Sequence, residues 1–322
     1  MSKAEAEQIR VNYLRAVEVS KTTLKMLYDR VYPFNQENVF PDAVVPEHIE
    51  RGSKEHALLL FYSCVLDGGR LANVVYRSMR EFSSRLSIGR AISGLETVAS
   101  KTSLDSLHLL SKQELKNLLK ESFKSFGNPE TSLGDPIGTL YHNSRKIKEE
   151  YDGDPRNMKD ITVDLTFQNI LFGKDKKRKF KQYGPGKAAL LMKNYVRFGM
   201  WDFPPREIPV KVDRHLLRMS IGSGVVELPE KFTRGRIDTL TKILTDVYRR
   251  VTRENNLSAV DLDDAFWAIG AYNCKFNDDI FCQTSCYINC DHRPNLDERA
   301  TWYYPHTEKR ENTDNLFRLS SK

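Results

Sequence analysis

The sequence predicts an all-α protein, on three observations. Apolar residues recur at helical spacing through most of the chain. Capping residues and Gly/Pro clusters divide those stretches into separate helices. No convincing series of alternating strands appears, and there is no internal repeat.

The elements follow in order. Ile9, Tyr13, Leu14, Val17, Leu24 and Leu27 give residues 4–30 a helical stripe. Pro33, Pro41 and Pro46 make 31–48 a loop. HALLLFYSCVL at 56–66 predicts a buried helix; Gly68-Gly69 breaks it, and LANVVYRSMREF at 71–82 resumes. Ser111 with Glu114 forms a capping box opening a helix to about 126. A turn region covers 127–136, and another helix runs to about 151, where DGDP ends it. VDLTFQNILF at 163–172 predicts a short helix. Further helices are expected over 187–200, from Asp213, over about 235–254 and over about 259–273. The polar tail from about 294 is expected to be loosely docked or disordered.

A chain of 322 residues, 40% hydrophobic and 29% charged, can bury a substantial core. No apolar run reaches the roughly 20 residues that span a bilayer. The first residues hold charges and no apolar h-region, so a secretory signal is not expected and the expected location is cytoplasmic. Lys and Arg number 50 against 43 acidic residues, for a net charge of +7. That excess hints at a polyanionic partner, and it is uneven. KDKKRKFKQYGPGK at 174–187 carries six Lys and one Arg against a single Asp.

FKQYGPGKAALLMKNYV reads as helix, tight turn, helix. Gly184 and Gly186 can take φ > 0 and let a phosphate approach the backbone, with the positive end of the following helix behind them. Lys176, Lys177, Lys179 and Lys181 flank the turn and are candidate phosphate contacts. By itself this segment reads better as a Gly-Pro-Gly loop beside a solvated charge run, because GPGK is short and common. The next segment adds weight: REIPVKVDRHLLRM carries an extended, Pro-containing stretch to Asp213 at a helix start, where Asp is also a favoured cap.

Turn, helix, extended IPVKVD, then helix resembles the helix-hairpin-helix, Gly/Pro-Asp (HhH-GPD) DNA glycosylase superfamily, over about residues 55–290. Within it, KAALLMKNYVRFG, EIPVKVD and LDDAFWAIGAY are similar in order to segments of the archaeal 8-oxoguanine DNA glycosylases. The resemblance implies two all-α lobes: a helical barrel over 55–185 holding the helix-hairpin-helix, and a second lobe of 1–54 with 186–322. It implies Lys187 and Asp213 as catalytic residues, and Asp263 and Trp267, four apart on one helix face, as the base pocket. A second pocket lysine of those enzymes aligns with Asn194, beside Lys193. The interval from Lys187 to Asp213 is shorter than in those enzymes. The endonuclease III branch has its lysine one place later, where this chain has Ala188; that register implies a monofunctional glycosylase.

The chemistry suits these groups. Breaking an N-glycosidic bond builds positive charge on the sugar, which a carboxylate stabilises. A lysine amine can attack C1′ and form a Schiff base that permits strand cleavage. A base drawn out of the duplex needs an aromatic face, here Trp267. Without the resemblance, Trp267 reads as a core residue and Asp263 as a surface charge.

Of five cysteines, Cys64 lies in an apolar run and reads as a buried small hydrophobe. Cys274, Cys282, Cys286 and Cys290 are crowded together, which in a chain without a secretory signal favours metal over disulfides. Four thiolates suit an iron–sulfur cluster or zinc. Ile269-Gly270-Ala271-Tyr272-Asn273-Cys274 resembles the segment that leads into the [4Fe-4S] cluster of the endonuclease III branch, though the cysteine spacing differs from the usual one.

These readings imply a monomeric, nucleoid-associated enzyme acting on double-stranded DNA, with no membrane partner. Its reaction would be excision of an oxidised or otherwise modified base, 8-oxoguanine-like first, with or without lyase activity. Cleavage of a modified nucleoside or RNA is the alternative enzyme, and a catalytically silent nucleic-acid-binding module is the alternative from another class. The basic run argues against free nucleosides, which have no backbone to grip.

Overall fold

A computed structural model describes residues 9–37, 39–66, 72–92, 103–122, 135–176, 178–229, 236–273, 286–288 and 290. The polar tail, most of the 127–136 turn region, Lys177, Cys274 and Cys282 lie outside the described residues.

The described chain is mostly helical. Its helices are α1 (Tyr13–Tyr28), α2 (Lys54–Leu66), α3 (Ala72–Ile92), α4 (Lys112–Ser122), α5 (Pro136–Tyr151), α6 (Val163–Phe172), α7 (Pro185–Arg197), α8 (Arg214–Gly222), α9 (Ile237–Glu254) and α10 (Ala259–Ala268). A single π turn, Ile269–Asn273, continues α10. Two-residue strands β1 (Arg10–Val11) and β2 (Val226–Glu227) pair antiparallel. Short 3-10 turns at Pro41–Ala43, Leu104–Leu109 and Pro155–Met158 carried no periodic signal.

Two compact units divide the chain. The larger holds Phe34–Lys211 and Tyr248–Asp264; the smaller holds Met1–Pro33, Val212–Val247 and Ala265–Lys322. These limits differ from the expected lobes in that residues 34–54, 186–211 with α7, and 248–264 belong with the helices expected to form the barrel. The reason lies in α2. Every residue from His56 to Leu66 is buried, so this helix needs apolar neighbours all round. α7 supplies one side: the Tyr195 hydroxyl donates to the Ala57 carbonyl at 2.7 Å. Tyr183, just ahead of α7, donates to the Phe61 carbonyl at 2.7 Å. Residues 34–54 are drawn in by Asp42, which faces two cations of α7.

Aromatic rings fill the centre of the larger unit. Phe61 stacks on Tyr183 at 5.1 Å and meets Phe180 edge-on at 5.5 Å. Cys64 is fully buried in the same helix. α7 ends where Gly199 takes φ 69°, a left-handed conformation that glycine adopts without strain. The Met200 N–H then closes on the Tyr195 carbonyl at 2.8 Å.

In the smaller unit, α8 packs on the π turn and on β2. α1 is capped by the Asn12 side chain. Arg15 of α1 donates to the Ser223 carbonyl at the end of α8, at 2.8 Å.

The Phe61→Ala variant should lose about 3–5 kcal/mol of stability in denaturant unfolding, because it empties the ring cluster on which α2 and the basic segment meet. A loss under 1 kcal/mol would mean the cluster closes up around the gap.

Candidate functional site

The described residues ahead of the turn form a loop where a first helix was expected, because their polar groups bond to α5 at Lys174, Arg178, Lys179 and Lys181 rather than along a helix axis. Asn143 donates to the Lys181 carbonyl at 3.0 Å and accepts from the Lys181 N–H at 2.8 Å. His142 lies 3.1 Å from the Lys179 carbonyl. A buried Lys146–Glu150 ion pair takes the Lys174 N–H at 2.7 Å through Glu150. Lys176, Lys179 and Lys181 are exposed. The Lys179 Nζ sits 4.7 Å over the Phe172 ring, a cation–π placement.

The expectation for the two glycines is corrected. Gly184 has φ −115° and ψ 177° and is the N-cap of α7, while Gly186 lies within the helix. The left-handed residue of this turn is Gln182, at φ 62°. Pro185 takes the first helical position, which fixes the start of the helix without a left-handed glycine. What Gly184 does provide is room, since a Cβ there would meet nothing within 4 Å.

Lys187 lies in the first turn of α7. Its Nζ donates to the Val65 carbonyl at 2.7 Å, at the C-terminal end of α2. The last four carbonyls of a helix lack intrahelical partners and carry the negative end of its dipole, which accounts for an ammonium there.

Farther along α7, a buried ion cluster gathers. The Lys193 Nζ is 3.0 Å from Asp42 Oδ2, 3.0 Å from Asp263 Oδ2 and 2.8 Å from Asp264 Oδ1. Arg197, one turn on, pairs with Asp264 and lies 3.3 Å from Asp42. Burial alone would depress the Lys193 ammonium, but the three carboxylates outweigh it and raise its pKa. Asp42 is pushed the other way: burial opposes its charge, and Lys193 and Arg197 overcome that and hold it well below the usual range. Asp264 is raised, by burial first and by the neighbouring Asp42 charge. Asp263 is 5% exposed. Its Oδ2 faces Lys193, and its Oδ1 accepts the Lys211 N–H at 2.7 Å.

That last bond belongs to the stretch between α7 and α8, a turn at 205–207 followed by irregular chain with no strand partner. Within the turn the Glu207 N–H donates to the Pro204 carbonyl at 2.9 Å, and other backbone groups of the stretch turn to α9 and α10. Ala259 N–H donates to the Pro205 carbonyl at 3.1 Å, and the Thr252 hydroxyl donates to the Arg206 carbonyl at 3.0 Å.

In the smaller unit, Asp213 is the N-cap of α8. Its Oδ1 accepts from His215 N–H at 2.8 Å and Leu216 N–H at 3.3 Å, which fixes the carboxylate at the helix head. His215 is pressed against the π turn: a Cβ on Gly270 would come within 2.5 Å of the His215 Cβ, so only glycine fits at 270. Arg218 donates to the Gly270 carbonyl and lies 3.3 Å from His215 Nδ1. Burial pushes the His215 imidazole down to about 4, against the opposing pull of Asp213. Trp267 meets Tyr272 edge-on at 5.8 Å. Asp263 and Trp267 stand one turn apart on α10, but Asp263 belongs to the larger unit and Trp267 to the smaller. Cys286 and Cys290 are partly exposed, and the Cys286 thiol lies 3.7 Å from the Ile288 carbonyl.

The residues that pattern reading missed are Asp42, Lys193, Arg197, Asp264, His215 and Arg218. One signal was available for the first four. Lys193 and Arg197 stand at i, i+4 on a helix that is otherwise mostly apolar, and LDDAF places two acids inside another apolar helix. Charges in such surroundings need each other.

The His215 environment sets a pH dependence. Above its ordinary value of 6.5 the ring is neutral in folded and unfolded chains alike, and its contribution is complete. As pH falls from 6.5 through about 4 the unfolded chain takes up the proton first, and stability drops by at most about 3 kcal/mol. His215→Gln should flatten this limb in pH-dependent unfolding. An unchanged slope would assign the limb to other groups, His56 foremost, which burial and Arg51 also hold down to about 4. No protein-family model, curated protein or solved structure matches the chain.

Proposed function

We propose that this chain is a DNA base-excision glycosylase of the helix-hairpin-helix type, acting on an oxidised or otherwise modified base. The observation that carries the reading is the order of its functional groups along the fold. Exposed lysines on an ordered loop lead into a helix with an open glycine at its head and Lys187 in its first turn. The stretch between α7 and α8 then leads to a carboxylate, Asp213, held at the head of the next helix by two backbone N–H groups. In this reading Lys176, Lys177, Lys179 and Lys181, with the backbone at Gly184 and Gly186, grip phosphates without reading sequence. Asp213 stabilises the positive charge that develops on the sugar. Lys187 is the nucleophile: its Nζ leaves the Val65 carbonyl and gives a proton to water, the neutral amine bonds to C1′ as the C1′–N bond to the base breaks, the departing base takes a second amine proton, and the sugar ring opens with O4′ taking up a proton to leave the Schiff base. Trp267 offers the extruded base an aromatic face.

A base-release assay over a panel of damaged duplexes, set against nucleosides and RNA, tests the activity. Asp213→Asn should lower base release by a factor on the order of 100 or more while duplex affinity stays within about twofold. A fully active Asp213→Asn would reduce Asp213 to a helix cap. Borohydride should trap a covalent protein–DNA adduct that Lys187→Gln abolishes. An active wild type with no adduct, and Lys187→Gln releasing base at the normal rate, would leave a monofunctional enzyme.

The same reading gives Cys274, Cys282, Cys286 and Cys290 a [4Fe-4S] cluster, with zinc as the alternative. The donor set supports it, since four thiolates on one short stretch neutralise and enclose either centre. Among the described residues, which include two of the four, no group of three metal-binding side chains occurs. Protein prepared without air should be brown and carry iron and acid-labile sulfide. Colourless protein with one equivalent of zinc would exchange the cluster for zinc, and metal-free protein would remove the site.

A further inference from the structure

The stretch ahead of Asp213 has a feature that cap and hairpin do not explain. Backbone groups normally find partners in helices or sheets. Residues 205–211 lie in neither; besides the Glu207 N–H on the Pro204 carbonyl, three groups on α9 and α10 bond to their backbone: Thr252, the Ala259 N–H and Asp263. The last of these fastenings is the Asp263 carboxylate on the Lys211 N–H, two residues before Asp213.

Asp263 has no freedom to be elsewhere. Its second oxygen lies 3.0 Å from the Lys193 ammonium, which is itself fixed by Asp42 and Asp264. A carboxylate with both oxygens engaged and 5% exposure is poorly placed to contact a substrate base. It is well placed to hold a peptide plane, because a charge-assisted bond at 2.7 Å is short and directional.

We infer that Asp263, oriented by Lys193, is a positioning residue: it holds the chain at Lys211 and thereby sets where Asp213 is presented. This deepens the proposed function and rests on it. It also replaces the role in the base pocket that the family resemblance implies for Asp263. Placement of a reacting group matters steeply, and an error near 1 Å can cost a factor on the order of 100.

The variants Asp263→Ala and Asp263→Asn suit the test. With every group ionised, the cluster holds three carboxylates against two cations, so removing one acid leaves the charges matched and the fold supported. Asn offers a single acceptor oxygen, for which Lys193 and the Lys211 N–H compete. Deuterium exchange of the full chain, read on a peptide covering 206–213, reports the tether directly. Asp263→Ala should speed exchange there by about tenfold or more, and Asp263→Asn should fall between it and wild type. Single-turnover base release should slow by a factor on the order of 10 to 100 in Asp263→Ala, in step with exchange across the series, while duplex affinity stays within about twofold.

Unchanged exchange in Asp263→Ala would overturn the tether. Faster exchange with a normal rate would overturn the positioning role. Normal exchange with lost preference for the damaged duplex would return Asp263 to the base pocket. A wild type that releases no base from any duplex would sink the glycosylase reading alone, and exchange at residue 211 would still decide the tether.

Discussion

One buried lysine ammonium in this protein faces three carboxylates. Lys193 meets Asp42, Asp263 and Asp264 at 2.8 to 3.0 Å, with the whole group buried. Taking an ammonium out of water costs several kcal/mol, and three facing carboxylates oppose that cost. The three acids come from a loop near residue 40 and from α10, so the cluster joins segments far apart in sequence to the middle of α7. Arg197 closes it from the next turn. The larger unit owes its limits to this constraint as much as to its apolar core.

The helices were legible because their signals are local. HALLLFYSCVL could only be a buried helix, and α2 covers it with every residue from His56 inward. The Ser111–Glu114 capping box appears with both of its bonds, at 2.7 and 3.2 Å. The helix expected to run to 273 changes character at Ile269, where a π turn begins. An inserted residue of that kind responds to packing, here the close approach of Gly270 to His215, and leaves no periodic trace. The division into units was illegible for a similar reason. It depends on which partners α7 selects, and tyrosine hydroxyls on α2 carbonyls decide that.

Among the candidate residues, those legible in the sequence are the ones whose position follows from chain order. Asp213 at a helix head and Lys187 in a first turn both follow from IPVKVD and GPGK. Asp263 shows the limit of such reading. Its spacing from Trp267 is simple to count, yet where its carboxylate goes depends on Lys193 and Lys211, which the helix pattern does not reveal. Lys193 itself was noticed only as a neighbour of Asn194. The glycines of the turn were identified as important residues, but for a conformation that Gln182 adopts instead.

The clasp between Asn143 and the backbone of Lys181 has a consequence for how the basic loop would meet a polyanion. A flexible lysine run must be ordered when it binds, at a cost on the order of 1–2 kcal/mol for each residue whose backbone is fixed. At Lys181 that ordering is built into the fold, by one amide side chain that donates to the carbonyl and accepts from the N–H of the same residue. Capture would then resemble docking onto a set surface more than wrapping by a loose strand, with less entropy lost in the encounter. A loop built this way keeps its spacing of charges whether or not anything is bound.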